Sequence, residues 1–134
     1  MFSPPSPQEI REFVEREAEK QARYLADEIL DSVEPCKIAD YVESGNILDI
    51  EIYSGYTVAD MVGETVDRML TWTWDNIVVA WAYAGEYEPE MLSEVPKTID
   101  EYATAVAYEV WYDKIVEKLT CILKGIVKEV CVRK

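Results

Sequence analysis

Two acidic residues three positions apart, Glu64 and Asp67 in the run Gly63-Glu64-Thr65-Val66-Asp67-Arg68-Met69-Leu70, form the sharpest chemical pattern in this 134-residue chain. On a helix that spacing puts both carboxylates on one face, where together they can hold a magnesium ion. Arg68, four residues after Glu64, also stands at the spacing of an ordinary helical ion pair. Other routes to catalysis are scarce. The chain has no histidine, which removes triads, most zinc sites and the usual general base near neutral pH. Cys36, Cys121 and Cys131 lack the Cys-x-x-Cys spacing of zinc or redox sites, and three is a poor number for a disulfide framework. Buried free thiols are the expectation. Glutamine and asparagine number two each in a Glu-rich and Val/Ile-rich chain, a composition that leans toward a thermophilic source. In that setting an intracellular disulfide from Cys36 to one of the other two is permissible.

The Glu-x-x-Asp pattern resembles half of the site of the all-α nucleotide pyrophosphatases of the MazG kind. In that family helical carboxylates from two helices hold magnesium on the phosphates of a nucleotide, and the other half is a Glu-Glu-x-x-Glu helix upstream. Here the first helix carries the ladder Glu9, Glu12, Glu15 and Glu19, without a Glu-Glu pair and with its last member 45 residues before Glu64. The resemblance implies Glu64 and Asp67 as catalytic residues, and Glu12, Glu15, Glu64 and Asp67 as ligands of Mg2+. Apart from it, the residues call for no cofactor.

Charge is distributed unevenly. Between Tyr24 and Asp113 there are 20 acidic residues against Lys37, Arg68 and Lys97, whereas from Lys114 onward there are six basic residues and two acidic ones, within a net charge of −14. An acidic body with a basic tail repels nucleic acid over most of its surface and attracts a basic protein or a second copy of itself. Lys114, Lys118, Lys124 and Lys128 recur near the helical period, but lysines also favour the C-terminal end of a helix, and direct nucleic-acid binding is not expected. The carboxylates Glu86, Glu88, Glu90 and Glu94 around Tyr87 form a candidate acidic partner face. They would either imitate nucleic-acid phosphates toward a basic protein or keep the chain dispersed.

The elements that must position these groups follow from periodicity. Ser6-Pro7-Gln8-Glu9 is a capping box that opens a helix. Its apolar positions Ile10, Phe13, Val14, Ala18, Ala22, Leu25, Ile29 and Val33 repeat near 3.6 residues, Glu12–Arg16 and Glu19–Arg23 are ion-pair spacings, and Pro35 ends it. A short helix follows from Cys36 to about Ser44, stopped by Gly45. Residues 47–53 alternate Leu48, Ile50 and Ile52 with Asp49 and Glu51, the pattern of a half-buried strand. Ser54-Gly55 turns the chain, and Thr57 with Asp60 caps a second long helix expected to reach Ala84.

One face of that second helix carries Val66, Leu70, Trp74, Ile77, Val78 and Trp81, and another carries Thr65, Met69, Trp72, Val79 and Tyr83. A helix apolar on two sides must be sandwiched, so Met69, Trp72, Val79 and Tyr83 are the expected homodimer interface. After the acidic connection 86–97, Thr98 and Glu101 cap a third long helix with the face Tyr108, Trp111, Ile115, Leu119 and Ile122. Gly125 leaves two options. The helix passes through it, or it stops the helix and 126–132 becomes a strand pairing with 47–53, setting Lys128 and Arg133 against Asp49 and Glu51. The four tryptophans, all on helical apolar faces, are read as packing residues rather than a cofactor platform.

The expectation is a mainly α fold: residues 1–134 as one helical domain with a flexible stretch at 1–5, three long helices forming a bundle core, one or two short helices and a minor β element. The longest apolar run, Met69 to Ala84, contains Asp75 and Asn76 and falls short of the roughly 20 residues of a membrane span. With no secretory pattern at its N-terminus, the chain is expected to be intracellular (cytoplasmic). It reads as a small acidic non-enzymatic interaction or accessory protein, of thermophile or mobile-element origin, acting through protein–protein contacts. The alternatives are the magnesium-dependent pyrophosphatase and a nucleic-acid-mimicking inhibitor of a basic DNA- or RNA-binding protein.

Overall fold

A computed structural model of the chain describes residues 7–74 and 103–130. Helix α1 spans Pro7–Ser32, α2 Pro35–Ser44, α3 Val58–Thr73 and α4 Tyr108–Val130, with a 3-10 turn at Ile47–Asp49 and short strands β1 (Glu51–Tyr53) and β2 (Tyr56–Thr57) between α2 and α3. The chain is mainly α, as its periodicity predicts: helices packed together with a small antiparallel hairpin. α4 contacts each of the other three helices, and α1 most extensively.

Local chemistry explains the element boundaries. Pro35 sits at the start of α2, where its missing N–H costs no hydrogen bond. α2 ends on Gly45, whose φ of 76° is left-handed. The Gly45 N–H bonds the Val42 carbonyl at 3.2 Å, and the Asn46 N–H bonds the Tyr41 carbonyl at 2.9 Å. This is the double bond of a Schellman stop. At α3 the Asp60 carboxylate accepts the Thr57 backbone N–H at 3.0 Å, completing the capping box.

The strand expected over 47–53 is shorter than its alternation suggests. Ile47 and Ile50 are buried while Leu48 and Ile52 are half-buried. A three-residue turn places Ile47 and Ile50 on one side, which the strand register would not do, so only Glu51–Tyr53 remains extended. Its partner is β2, with Glu51 opposite Thr57 and Tyr53 opposite Tyr56, joined through Gly55 at φ 79°. Pairing with 126–132 is thereby overturned: α4 runs unbroken through Gly125 to Val130, and residues 131–132 lie outside the described residues. Packing of the Leu119–Leu123 stripe offsets the cost of an internal glycine, about 1 kcal/mol relative to alanine.

The third long helix is likewise not continuous. Residues 103–105 are helical, the helix is interrupted at 106–107, and α4 begins at Tyr108. Val106 and Trp111 are both fully buried. Five residues apart, they would point about 140° away from each other on one helix, and the break lets both reach the core. Thr98 and Glu101 lie outside the described residues, as does Ser6.

The core is built from Ile10, Val14, Ala18, Ala22, Leu25 and Ile29 of α1, Ile38 and Val42 of α2, Val58, Met61, Val62 and Val66 of α3, and Trp111, Ile115, Leu119 and Leu123 of α4. On α4 the buried stripe continues from Leu119 to Leu123 rather than to Ile122, which is half-buried, and Tyr108 is exposed. Each large side chain removed completely from water contributes about 1.5–3 kcal/mol. At the edge of this core Glu15 of α1 is clasped by α4, accepting from Lys118 at 2.9 Å and pairing with Lys114 at 3.2 Å. These contacts hold the Glu15 carboxyl below its usual range and raise the Lys118 ammonium above its own.

Candidate interaction surface

α1 and α3 meet in a seam that aromatic rings fill without closing. Phe13 stacks on Trp72, ring centroids 5.4 Å apart at 20°, and meets the fully buried Trp111 edge-on at 6.5 Å. Met69 lies half-buried against the core in the same groove, which Glu17 and Arg68 also line. Yet Trp72 and its neighbour Trp74 keep 47% and 44% of their surfaces exposed. Of the four tryptophans read as packing residues, Trp111 is core, Trp72 and Trp74 are surface, and Trp81 lies outside the described residues. The buried polar positions of α3 are instead Thr65 and Thr73, whose hydroxyls donate back to the Met61 and Met69 carbonyls at 3.0 and 2.8 Å. Threonine thus reaches the core because its own helix satisfies its hydroxyl.

The expected interface residues Met69 and Trp72 therefore share one groove. Val79 and Tyr83 lie outside the described residues, as do Glu86, Tyr87, Glu88, Glu90 and Glu94 of the acidic partner face. Phe13 was not singled out as an interface residue, because a one-helix periodicity gives it no rank above its neighbours.

The four carboxylates of the magnesium alternative line different places. Glu12 and Glu15 border a cleft between α1 and α4 that Arg11, Arg16 and Lys114 also line. Glu15 is engaged by its two lysines, and Glu12 accepts a long bond from Gln8 at 3.4 Å. Glu64 instead lines a pocket with Glu28 on the opposite stretch of α1. Asp67 is exposed on α3. Among the described residues no group of three or more acidic or thiol side chains is placed to hold a metal ion. Neither expected ion pair of Glu64 with Arg68 or Glu12 with Arg16 forms, while Glu19 and Arg23 do pair at 3.2 Å. Arg68 donates to the Thr65 hydroxyl at 3.3 Å.

Glu64 has a different partner, which its helix spacing does not reveal. The Tyr56 hydroxyl, delivered by β2, donates to it at 2.8 Å. Burial, then this carboxylate, pushes the Tyr56 phenol up to about 12. Tyr53 stacks face to face on Tyr56 at 4.8 Å and 8°. Burial likewise raises the Tyr112 phenol, whose ring stacks on Tyr108 at 5.9 Å.

The lysine stripe of α4 divides in two. Lys114 and Lys118 turn to Glu15, and Lys124 and Lys128 are exposed. The thiols also depart from the expected buried free state: Cys36 is disulfide-bonded and Cys121 is free and exposed, while Cys131 lies outside the described residues. Among the described residues, no helix is long and apolar enough to cross a membrane. Comparison with protein-family models, with curated proteins and with solved structures finds no match to this chain.

Proposed function

We propose that this chain is a small non-enzymatic interaction protein that works through protein–protein contacts and pairs with a second copy across the α1–α3 seam. The carrying observation is the Phe13–Trp72 stack, an aromatic surface anchored on the buried Trp111 yet left nearly half exposed at Trp72. Aromatic residues on a rigid base are what interface centres are made of. Self-pairing through a two-fold axis requires only that this patch be complementary to itself. A net charge of −14 makes broad face-to-face contact between copies costly. That favours an aromatic patch whose bordering charges, Glu17 and Arg68, balance as the place where they meet, and it leaves the acidic remainder of the surface for a basic partner.

Light scattering at micromolar concentration tests the pairing. The expected mass is twice that of the chain. Trp72→Glu, which introduces a carboxylate at the centre of the patch, should give monomer or aggregate. A monomeric wild type sinks the reading.

A further inference from the structure

On the far stretch of the α1–α3 seam from the aromatic groove, Tyr24 and Glu28 of α1 face Tyr56 of the hairpin and Glu64 of α3 around one pocket, with Leu25 and Met61 beneath. Tyr24 is 55% exposed, and Tyr53, which backs Tyr56, is 64% exposed. We propose that this pocket receives an arginine or lysine side chain of a basic protein partner, held against the tyrosine rings and between the Glu28 and Glu64 carboxylates. The inference rests on the reading of the chain as an interaction protein and names the chemistry of what it binds.

Three observations converge on a cation. Tyrosine faces attract cations through the ring quadrupole, and the Tyr53–Tyr56 stack fixes one such ring before any ligand arrives. The Tyr56 hydroxyl donates to one oxygen of Glu64 and orients that carboxylate, leaving its other lone pairs to accept from a guanidinium or ammonium. The pocket carries two carboxylates against the single cation Arg68, and the net charge of the whole chain draws a basic partner toward it. Arg68 opposes a second positive charge, and its bond to the Thr65 hydroxyl draws it toward its own helix. The α1–α4 cleft with Arg11, Arg16 and Lys114 has the opposite local sign, so a cationic side chain should distinguish the two.

The experiment titrates the full-length, 15N-labelled chain with the single-arginine peptide acetyl-Gly-Arg-Gly-amide and follows amide shifts at about 0.15 M salt, where charges beyond ~8 Å are screened. Shifts should centre on Tyr24, Tyr56 and Glu64. Tyr24→Leu leaves net charge unchanged and should weaken binding about fivefold, whereas Tyr24→Phe, which keeps the ring, should retain it. Glu64→Gln should weaken binding and Arg68→Met should tighten it. The pair E43Q/E109Q, which removes two carboxylates outside the pocket, should leave binding intact. Undiminished binding by Tyr24→Leu overturns the proposal, and so does equal weakening by Glu64→Gln and E43Q/E109Q, since net charge alone would then account for the attraction. Trp72→Glu separates this result from the pairing test: a monomeric variant that still binds the peptide supports the pocket, and a monomeric wild type leaves the pocket's own test unchanged.

Discussion

The seam between α1 and α4 and the seam between α1 and α3 start from the same helix and end differently. Toward α4, the central helix, α1 sets its most extensive contact, and Trp111, Ile115, Leu119 and Leu123 are all fully buried. The small residues Ala18 and Ala22 on the buried stripe of α1 permit close helix approach. The seam is fastened at its edge by Glu15 between two lysines. Toward α3 the same helix offers Phe13, Glu17 and Tyr24 to Trp72, Arg68 and the hairpin, and leaves open grooves between them. One seam is finished within the chain. The other has its stacking partners and rigid base in place but retains exposed aromatic surface, and the proposed pairing rests on that exposed surface.

The sharpest way to break that comparison is to truncate one residue of each seam. Leu119→Ala should cost about 2–5 kcal/mol in chemical denaturation, the range for a fully buried leucine that leaves a cavity. Trp72→Ala should cost about 1 kcal/mol or less, because much of the ring is already in water. Both are best read at the lowest workable protein concentration, where assembly adds least to either value. Equal losses would mean that the α1–α3 seam is core after all.

Gly125→Ala should act in the other direction. No atom lies within 4 Å of the position a new Cβ would take, and the residue is inside α4, so the midpoint of unfolding should rise by up to about 1 kcal/mol in stability. Destabilisation would show that α4 does not pass through Gly125 as a regular helix.

The smallest effect concerns the clasp that fastens the α1–α4 seam. The Glu15 carboxyl titrates lower in the folded chain than in the unfolded one, so its contribution is present above the unfolded value and is lost as pH falls through the folded one. Lys118 is raised, so its share is complete below the unfolded lysine value and disappears as pH rises through the folded one. Glu15→Gln should therefore flatten the acid limb of the stability profile, measured as unfolding midpoint against pH, while changing little in high salt. An unaltered acid limb would remove the clasp from the account.

Legibility in the sequence differed along the same line. The apolar stripe of α1, the glycine stop of α2, and the Thr57–Asp60 box of α3 were all readable, because each depends on residues within one or two turns of one another. The strand at 47–53 misled because alternation over seven residues describes a preference, while the buried pair Ile47 and Ile50 required a turn. At Gly125 the local options were balanced, and the Leu119–Leu123 contacts selected helix. The pairing of Met69 with Trp72 on one surface was legible from helix spacing. Their junction with Phe13 was not, since it joins residues 59 apart in the chain.

The sequence by itself determined that the chain is helical, where several of its helices begin and end, and that catalysis through histidine is closed to it, because those are properties of residue type and short spacing. Which carboxylates meet, which tryptophans are covered and what Glu64 touches were decided only by tertiary structure. Glu64 lies three residues from Asp67 and far along the chain from Glu15, yet its bond is to Tyr56, brought across by the β-hairpin. Periodicity fixes the face of a helix on which a side chain stands. The neighbour that packs against that face is set by how whole elements bury their apolar surface together.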